Sequence, residues 1–281
     1  MRPDFQEACT GGGGGDMVRR VIALLLLCGA ATASAVSLKD LVARISASVI
    51  PASVLGGAVD LDGSTEYFSE GNSSLLNGAT SMSLVVWCTY RPNMPDYAGL
   101  LVATGVKRNS LQARLNSDYQ FTFYANSACA TTPIGSAKQS TWTNWFLVVG
   151  VYQMSNSIAI YQNTSMYERT TNLPPISDSG IFRVGYDDYS TVRRWRGLVD
   201  DTAIYRNRAL TSNEVVELYN GGIGKPVTSL STGTNGLIRY WKFDDGLSNS
   251  SATQALDIVS GTYIRGTGIG SGDWTNGIVP Q

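Results

Sequence analysis

The stretch GLVDDTAIYRNRALTSNEVVELYNGG, Gly197–Gly222, carries a strand and a helix back to back. Leu198, Val199, Ile204 and Tyr205 are sheet-forming residues. In the second half, Thr211 stands where an N-cap is needed and Glu214 follows three residues later, the spacing of a capping box. Val215 and Leu218 make the apolar stripe of a short helix, and Gly221 is its expected stop. The strand half holds an oddity: two carboxylates, Asp200 and Asp201, side by side in its middle. Aspartate is depleted in strands, and alternation sends neighbours to opposite faces. One of the two is therefore expected to face inward.

Working upstream, short segments rich in β-branched and aromatic residues recur at close intervals. Ala58–Leu61, Glu66–Ser69, Ser81–Tyr90, Gly99–Thr104 and Leu111–Leu115 read as strands, followed by Tyr119–Ala125, Trp145–Tyr152, Ser157–Gln162 and Ile181–Tyr186. Turn clusters such as NSD, SNS and DGS separate them. Short strands at this spacing indicate an all-β antiparallel sandwich of the jelly-roll kind, not a parallel α/β fold. With 43% hydrophobic and only 15% charged residues, 281 residues suffice for a sizeable core. A formal net charge of −1 gives no whole-molecule electrostatic case for nucleic acid. Histidine is absent, which removes Ser-His-Asp and Cys-His catalysis and every histidine-ligated metal site.

The N-terminal part reads differently. In MVRRVIALLLLCGAATASA, residues 17–35, Arg19 and Arg20 precede an apolar run and Ala33-Ser34-Ala35 supplies a small-x-small cleavage pattern, so a signal peptide is expected. Roughly a dozen apolar residues are too few to span a bilayer, and no integral membrane segment is expected after cleavage. Residues 1–16, MRPDFQEACTGGGGGD, fit neither a signal nor a fold. Met17 is the expected true start, because a purine-rich ribosome-binding site upstream of it would translate into poly-Gly. In Ser37–Ile50, Leu38, Leu41, Val42, Ile45 and Val49 fall at helical spacing, so residues 36–54 are expected to hold a short amphipathic helix and a linker. After cleavage only Cys88 and Cys129 remain; an exported chain permits a disulfide, and two separate buried thiols are the alternative. Asn72, Asn163 and Asn249 head N-x-Ser/Thr sequons, which matter in a eukaryotic secretory pathway.

Four segments carry a family resemblance. AVDLDGSTEYFS holds Asp62-Gly63 and Tyr67; TSMSLVVWCTYRP holds an inward Trp87; TWTNWFLVVGVYQ opens its strand with a tryptophan; and FRVGYDDY, followed by WRGLVDDTAIYRNRALTSNEVVELYNGG, joins a Gly-x-x-Asp strand to Asn-Arg-Ala-Leu-Thr and the capped helix. Together they resemble the laminin-G-like, concanavalin-A-like jelly-roll superfamily, over roughly Gly57–Gly222, within a domain expected at 55–222. Two departures stand out. The family's Tyr-x-Asn-Gly hairpin is here IYQNTS, without the glycine. And GLIRYWKFDDG…ALDIVSGTY, which normally precedes the DLDG strand, follows the helix. Residues 223–281 either complete the sandwich in permuted order or begin a truncated second repeat. Completion avoids exposing a hydrophobic edge around Trp241 and Phe243.

The resemblance implies that the face of Thr202 and Ile204 points inward, so Asp200 is the expected buried carboxylate. A buried charge needs a partner. The candidates are a structural Ca2+ held by Asp200 and Asp62 with backbone carbonyls, or backbone N–H groups or an arginine. Enzymes of this superfamily cleave polysaccharides with carboxylates spaced as Glu-x-Asp-x-x-Glu, a pattern this sequence lacks. No catalytic residue is expected. The segment best suited to a ligand is the loop YDDYSTVRRWRG, in which Tyr186, Tyr189 and Trp195 alternate with Asp187, Asp188, Arg193 and Arg194. Aromatic faces stack on sugar rings while carboxylates and guanidinium groups take hydroxyls or an acidic group. Trp195 has a second reading, as a plug for the sandwich end. The expected function is a secreted or cell-surface, non-catalytic module that binds glycans or a glycosylated surface. The alternative is a structural subunit of a surface layer, appendage or virion whose jelly roll mediates self-assembly.

Overall fold

Two-sided burial explains why the middle strands read as unbroken apolar runs. The computed structural model describes residues 55–103, 107–114, 120–131, 144–190, 193–248 and 252–280. The expected leader and amphipathic helix, and the sequon at Asn249, lie outside these. The chain lays down β1 (Leu55–Asp62), β2 (Tyr67–Ser73), β3 (Ser81–Cys88), β4 (Ala98–Ala103), β5 (Asn109–Arg114), β6 (Gln120–Ala125) and β7 (Ala128–Thr131). It continues with β8 (Phe146–Gln153), β9 (Ser157–Gln162), β10 (Ser165–Thr170), β11 (Ile181–Val184) and β12 (Arg196–Arg206). After helix α1 (Ser212–Tyr219) come β13 (Leu237–Trp241), the short helix α2 (Asp245–Ser248), β14 (Gln254–Leu256), β15 (Tyr263–Thr267) and β16 (Trp274–Pro280).

The strands form two antiparallel sheets, the all-β sandwich that the spacing of short strands predicts. The first runs β10-β9-β8-β3-β12-β1-β16 with β13 also paired to β12; the second runs β14-β15-β2-β11-β4-β5-β6-β7. Between them lies the main core, where Val86 and Cys88 of β3, Val148 of β8 and Val199 of β12 meet Phe68, Leu111, Phe121, Phe123 and Phe182. A second apolar layer covers the outside of the first sheet: Val85, Trp87, Leu147, Val149, Ala203 and Tyr205 pack with Val215 and Leu218 of α1. Trp87 stacks on Tyr219 at 5.9 Å. Strands buried on both faces lose the polar half of their alternation, hence SLVVW and FLVVGV. Gly150 interrupts the second run because a Cβ there would enter the ring of Phe123.

The helix forms as its capping box dictates. The Thr211 side chain accepts from the Glu214 N–H and the Glu214 carboxylate accepts from the Thr211 N–H at 2.7 Å. Asn220, rather than the expected Gly221, is the left-handed C-cap, with φ of 45°. At the hairpin written IYQNTS, Asn163 takes φ of 56°, a left-handed conformation that asparagine tolerates. Residues 237–280 contribute two strands to each sheet. β13 extends alongside β12, β16 pairs with β1, β14 pairs with β15, and β15 pairs with β2. Trp241 stacks on Phe182 at 5.8 Å and Phe243 meets Phe68 at 5.2 Å.

In β12 the ladder with β3 breaks. Asp200 lies opposite Trp87 and Ala203 opposite Val85, so Asp201 and Thr202 together oppose one residue, a β-bulge. Asp201 takes φ of 42°. Unbroken alternation would put Asp200 on the face of Ile204. The bulge reverses that parity: Ile204 faces the main core, while Asp200 shares the side of Trp87 in the outer layer.

Candidate functional site

The loop after β11 folds back over the second sheet because its backbone is pinned at both ends. Asp187 N–H donates to the Arg193 carbonyl at 3.0 Å, Trp195 N–H to the Gly185 carbonyl at 2.9 Å, and Gly99 N–H of β4 to the Arg193 carbonyl at 3.2 Å. Gly99 is needed there, since a Cβ would strike the Asp187 backbone. This places Asp187 wholly out of water. Its carboxylate accepts from Gln112 Nε2 at 2.7 Å, from the Tyr189 N–H at 3.1 Å and from Arg193 at 3.3 Å, with Arg108 at 3.7 Å. A buried charge is tolerated only when compensated in this way.

The two guanidinium groups are in turn clamped by rings. Arg193 lies 4.8 Å from the Tyr97 ring and 4.7 Å from Tyr189; Arg108 lies 5.0 Å from Tyr189 and 5.1 Å from Tyr124. Arg194 sits 4.6 Å from Tyr186. Asp188 pairs with Arg183 of β11 at 2.6 Å. Tyr189 nevertheless keeps 75% of its surface exposed. Beside it opens a groove of about 730 Å³, walled by Arg108, Tyr124, Ser127, Arg183, Asp188 and Tyr189. An exposed aromatic face next to charged donors and acceptors on a rigid sheet can stack on an apolar ring face and hydrogen-bond its substituents.

The family model described as the concanavalin A-like lectin/glucanases superfamily matches residues 62–216, more than half of the chain. The chain belongs to this superfamily. Among solved structures it is similar to a candidate carbohydrate-binding protein from Bacteroides ovatus, at 16% identity and a TM-score of 0.57, over 81% of this chain and 61% of that one. The chain thus spans less than two thirds of that structure's length. It is also similar to a heptameric SAP-like pentraxin from Limulus polyphemus, at 14% identity and a TM-score of 0.45, over 60% of this chain and 82% of that one. A third is the fourth domain of an extracellular arabinanase from Geobacillus stearothermophilus, solved with arabinotriose, at 15% identity and a TM-score of 0.43, over 57% and 75% of the two chains. At these identities the likeness is one of fold. A search of curated protein sequences gives no match.

In this concanavalin A-like sandwich, Tyr186, Asp187, Asp188, Tyr189, Arg193 and Arg194 gather as one cluster at the groove and behind it. Trp195 does not join them. It is fully buried, donates Nε1–H to the Thr89 carbonyl at 3.0 Å and stacks on Phe121 at 6.4 Å. It is the plug of the sandwich end, because it is the last residue before β12 and turns into the core. Arg108, Tyr124, Ser127 and Tyr97 come from remote turns and strands. Each looks like an ordinary surface residue until the fold brings it to the loop.

The second aspartate pair is built on another logic. Asp200 and Asp201 are both buried, at 0% and 3% exposure, so neither takes the solvent face that alternation offers. Asp200 accepts the Ile278 N–H at 2.8 Å, and Tyr240 donates its hydroxyl to Asp201. Gly277 has no room for a Cβ, which would collide with the Asp200 carboxylate and the Gly57 carbonyl. Burial pushes the Asp201 carboxyl well above the usual carboxylate range, and the negative charges of Asp200 and then Asp244 push it further. Lys242, which pairs with Asp244 at 2.9 Å, only partly opposes this. Burial and the neighbouring carboxylates thus favour the protonated form of Asp201 over the charged one.

Asp62 and Asp200 do not form one calcium site. Asp62 lies opposite Arg196, four residues along β12 from Asp200, or about 13 Å at the rise of a strand. Both oxygens of Asp62 are engaged in its own turn, accepting from the N–H groups of Ser64, Thr65 and Glu66 at 2.7, 2.8 and 3.1 Å and from the Thr65 hydroxyl at 2.8 Å. Burial disfavours its charge, but these hydrogen bonds outweigh it and hold the carboxyl well below the usual range. Among the described residues, no three carboxylate or thiolate groups converge as a metal-ligand set. Glu66 accepts the Asp62 N–H at 2.6 Å; burial, and then the charges of Asp273, Asp62 and Asp60, push its carboxyl up to about 7. Cys88 and Cys129 are both free thiols, so the candidate disulfide is not made: Cys88 sits in the main core on β3 and Cys129 on β7, in the other sheet. Of the sequons, Asn72 lies on β2, and Asn163 accepts the Leu147 N–H at 3.1 Å from within its hairpin.

Proposed function

We propose that the chain is a secreted, non-catalytic glycan-binding module that takes a saccharide in the groove beside Tyr189. The observation that carries this reading is the exposed Tyr189 ring, held from behind by two stacked arginines and flanked by Asp188, Arg183 and Ser127. Such a ring is a preordered stacking platform, so little side-chain entropy is lost on binding. A volume of about 730 Å³ suits a short oligosaccharide. Membership of a lectin and glucanase superfamily supports carbohydrate over other ligand classes, as does the description of the Bacteroides ovatus protein. The expected leader at residues 17–35 supports secretion.

The engagement of the glutamates supports a non-catalytic role. Glu214 is bound in the helix cap and to Arg208, Glu70 pairs with Arg239 at 2.6 Å, Glu217 pairs with Lys225, and Glu66 closes the turn at Asp62. None stands in the groove.

A glycan array probed with the full chain and with Tyr189→Ala tests the reading. The expected result is binding to a defined saccharide class that falls at least about tenfold in the variant, with an unchanged melting temperature. Saccharide binding that survives Tyr189→Ala intact would move the site elsewhere.

A further inference from the structure

We propose that the groove takes neutral saccharides through a free hydroxyl donated to Asp188, and discriminates against those bearing a carboxylate or a sulfate; this rests on the glycan-binding reading above. The wall of the groove is balanced in charge. The guanidinium groups of Arg108 and Arg183 stand against the carboxylates of Asp187 and Asp188. They are also paired, Arg183 with Asp188 at 2.6 Å and Arg108 with Asp187 at 3.7 Å. Arg193 and Arg194 stand behind this wall, the first turned to Asp187 at 3.3 Å and the second over the Tyr186 ring. Asp187 is wholly buried, out of a ligand's reach. Asp188 is within it, with 34% of its side chain exposed.

Asp188 sets the chemistry of the occupant. Arg183 Nη1 donates to its Oδ2, and among the described residues its Oδ1 takes no hydrogen bond. A ligand that displaces water from Oδ1 must bring a donor of its own. Arg183 orients the carboxylate and offsets its charge, so a neutral O–H suffices, and the bond it makes is charge-assisted. Beside Asp188 the Tyr189 ring, 75% exposed, and Ile181, 38% exposed, offer apolar surface to the C–H face of a sugar ring. Ser127 stands on the same groove; its Oγ accepts the Arg108 N–H at 3.2 Å and keeps its own O–H for a ligand oxygen. None of these contacts calls for a charge on the ligand. An anionic group meets two obstacles instead. It faces Asp188, and it gains Arg183 only by displacing Asp188 and leaving that carboxylate uncompensated.

The experiment uses the full chain on an array that sets each neutral glycan beside its O-methylated counterpart and its carboxylated or sulfated one. The expected hits fall on the neutral members, at least about tenfold above both counterparts. They hold between about 0.05 and 0.5 M sodium chloride, and Asp188→Ala weakens them at least about tenfold while the melting temperature holds. Equal or stronger binding to the acidic members overturns the neutral preference and leaves the glycan-binding reading intact. O-methylated members that bind as well as their free counterparts overturn the donated hydroxyl. Neutral binding that survives Asp188→Ala overturns the assignment to Asp188. A silent array overturns this inference and the glycan-binding reading together.

Discussion

Two Asp-Asp doublets a dozen residues apart bury one carboxylate in the first and both in the second, and compensate them by opposite means. Asp187 is compensated by two cations, Arg193 and Arg108, with a hydrogen bond from the Gln112 amide, while its neighbour Asp188 reaches the surface and takes Arg183. Asp200 accepts the Ile278 N–H and Asp201 the Tyr240 hydroxyl. Burial, with the charges of Asp200 and Asp244, raises the Asp201 pKa against the weaker pull of Lys242, so here the protonated form is favoured in place of a cation. The difference teaches what a pair of adjacent aspartates leaves open. The first doublet sits in a loop, where the chain can turn one side chain inward and the other outward. The second sits on a bulged strand, which buries both.

The largest effect that tests this contrast is expected at the first doublet. Asp187→Ala leaves two half-buried guanidinium groups without their anion, and should cost about 3 kcal/mol of stability, read from urea midpoints. A loss below about 1 kcal/mol would mean that the arginines are solvated, and the contrast would fail.

At the second doublet the expected signature is a pH slope. A carboxyl whose pKa is raised in the folded state favours folding below its unfolded pKa of about 3.9 and loses that contribution as pH climbs toward the folded value. Wild-type stability should therefore fall with rising alkalinity on account of Asp201. Asp201→Asn, which can still donate to Asp200 and accept from Tyr240, should flatten the slope and be more stable at pH 8 by roughly 1–2 kcal/mol. An unchanged slope in urea titrations at pH 5 and pH 8 would place the raised carboxyl elsewhere.

A smaller effect of the same sign belongs to Glu66, whose contribution is lost as pH rises through about 7. Glu66→Gln should raise the melting temperature at pH 8 by roughly 2 °C and leave it unchanged at pH 4. Equal shifts at both pH values would assign the effect to packing instead. The smallest change is expected at Arg183→Gln, within about 1 kcal/mol, since its pair with Asp188 is partly solvated. Calorimetry showing a greater loss would make Arg183 part of the framework.

Local patterns made much of the fold legible. β3 and β8 announce themselves as apolar runs, the capping box at Thr211 and Glu214 forms as written, and the turn at Asn163 takes the conformation that asparagine tolerates. The strands β7 and β10 escape notice because they are short and, for β10, mostly exposed: ACAT and SMYERT lack an apolar period. The parity of β12 misleads because a bulge leaves no mark in the alternation that precedes it. Half of the groove is legible in the loop at 186–194. The other half is not, because a lone Arg108 or Tyr124 carries no local signal.

The sequence alone determined the all-β sandwich, the capped helix that covers it, the concanavalin A-like kinship, and, through the absence of histidine, which catalytic chemistries are closed. Those features rest on periodicity, caps and composition, which act between near neighbours. Tertiary structure alone decided the fate of the charges. Asp187 finds Gln112 at a separation of 75 residues, and Asp200 finds Ile278 at 78. It also decided that Trp195 is core and Tyr189 is surface. Compensation of a buried charge depends on what lies within a few ångströms, and strand pairing sets that across distances the local sequence does not encode.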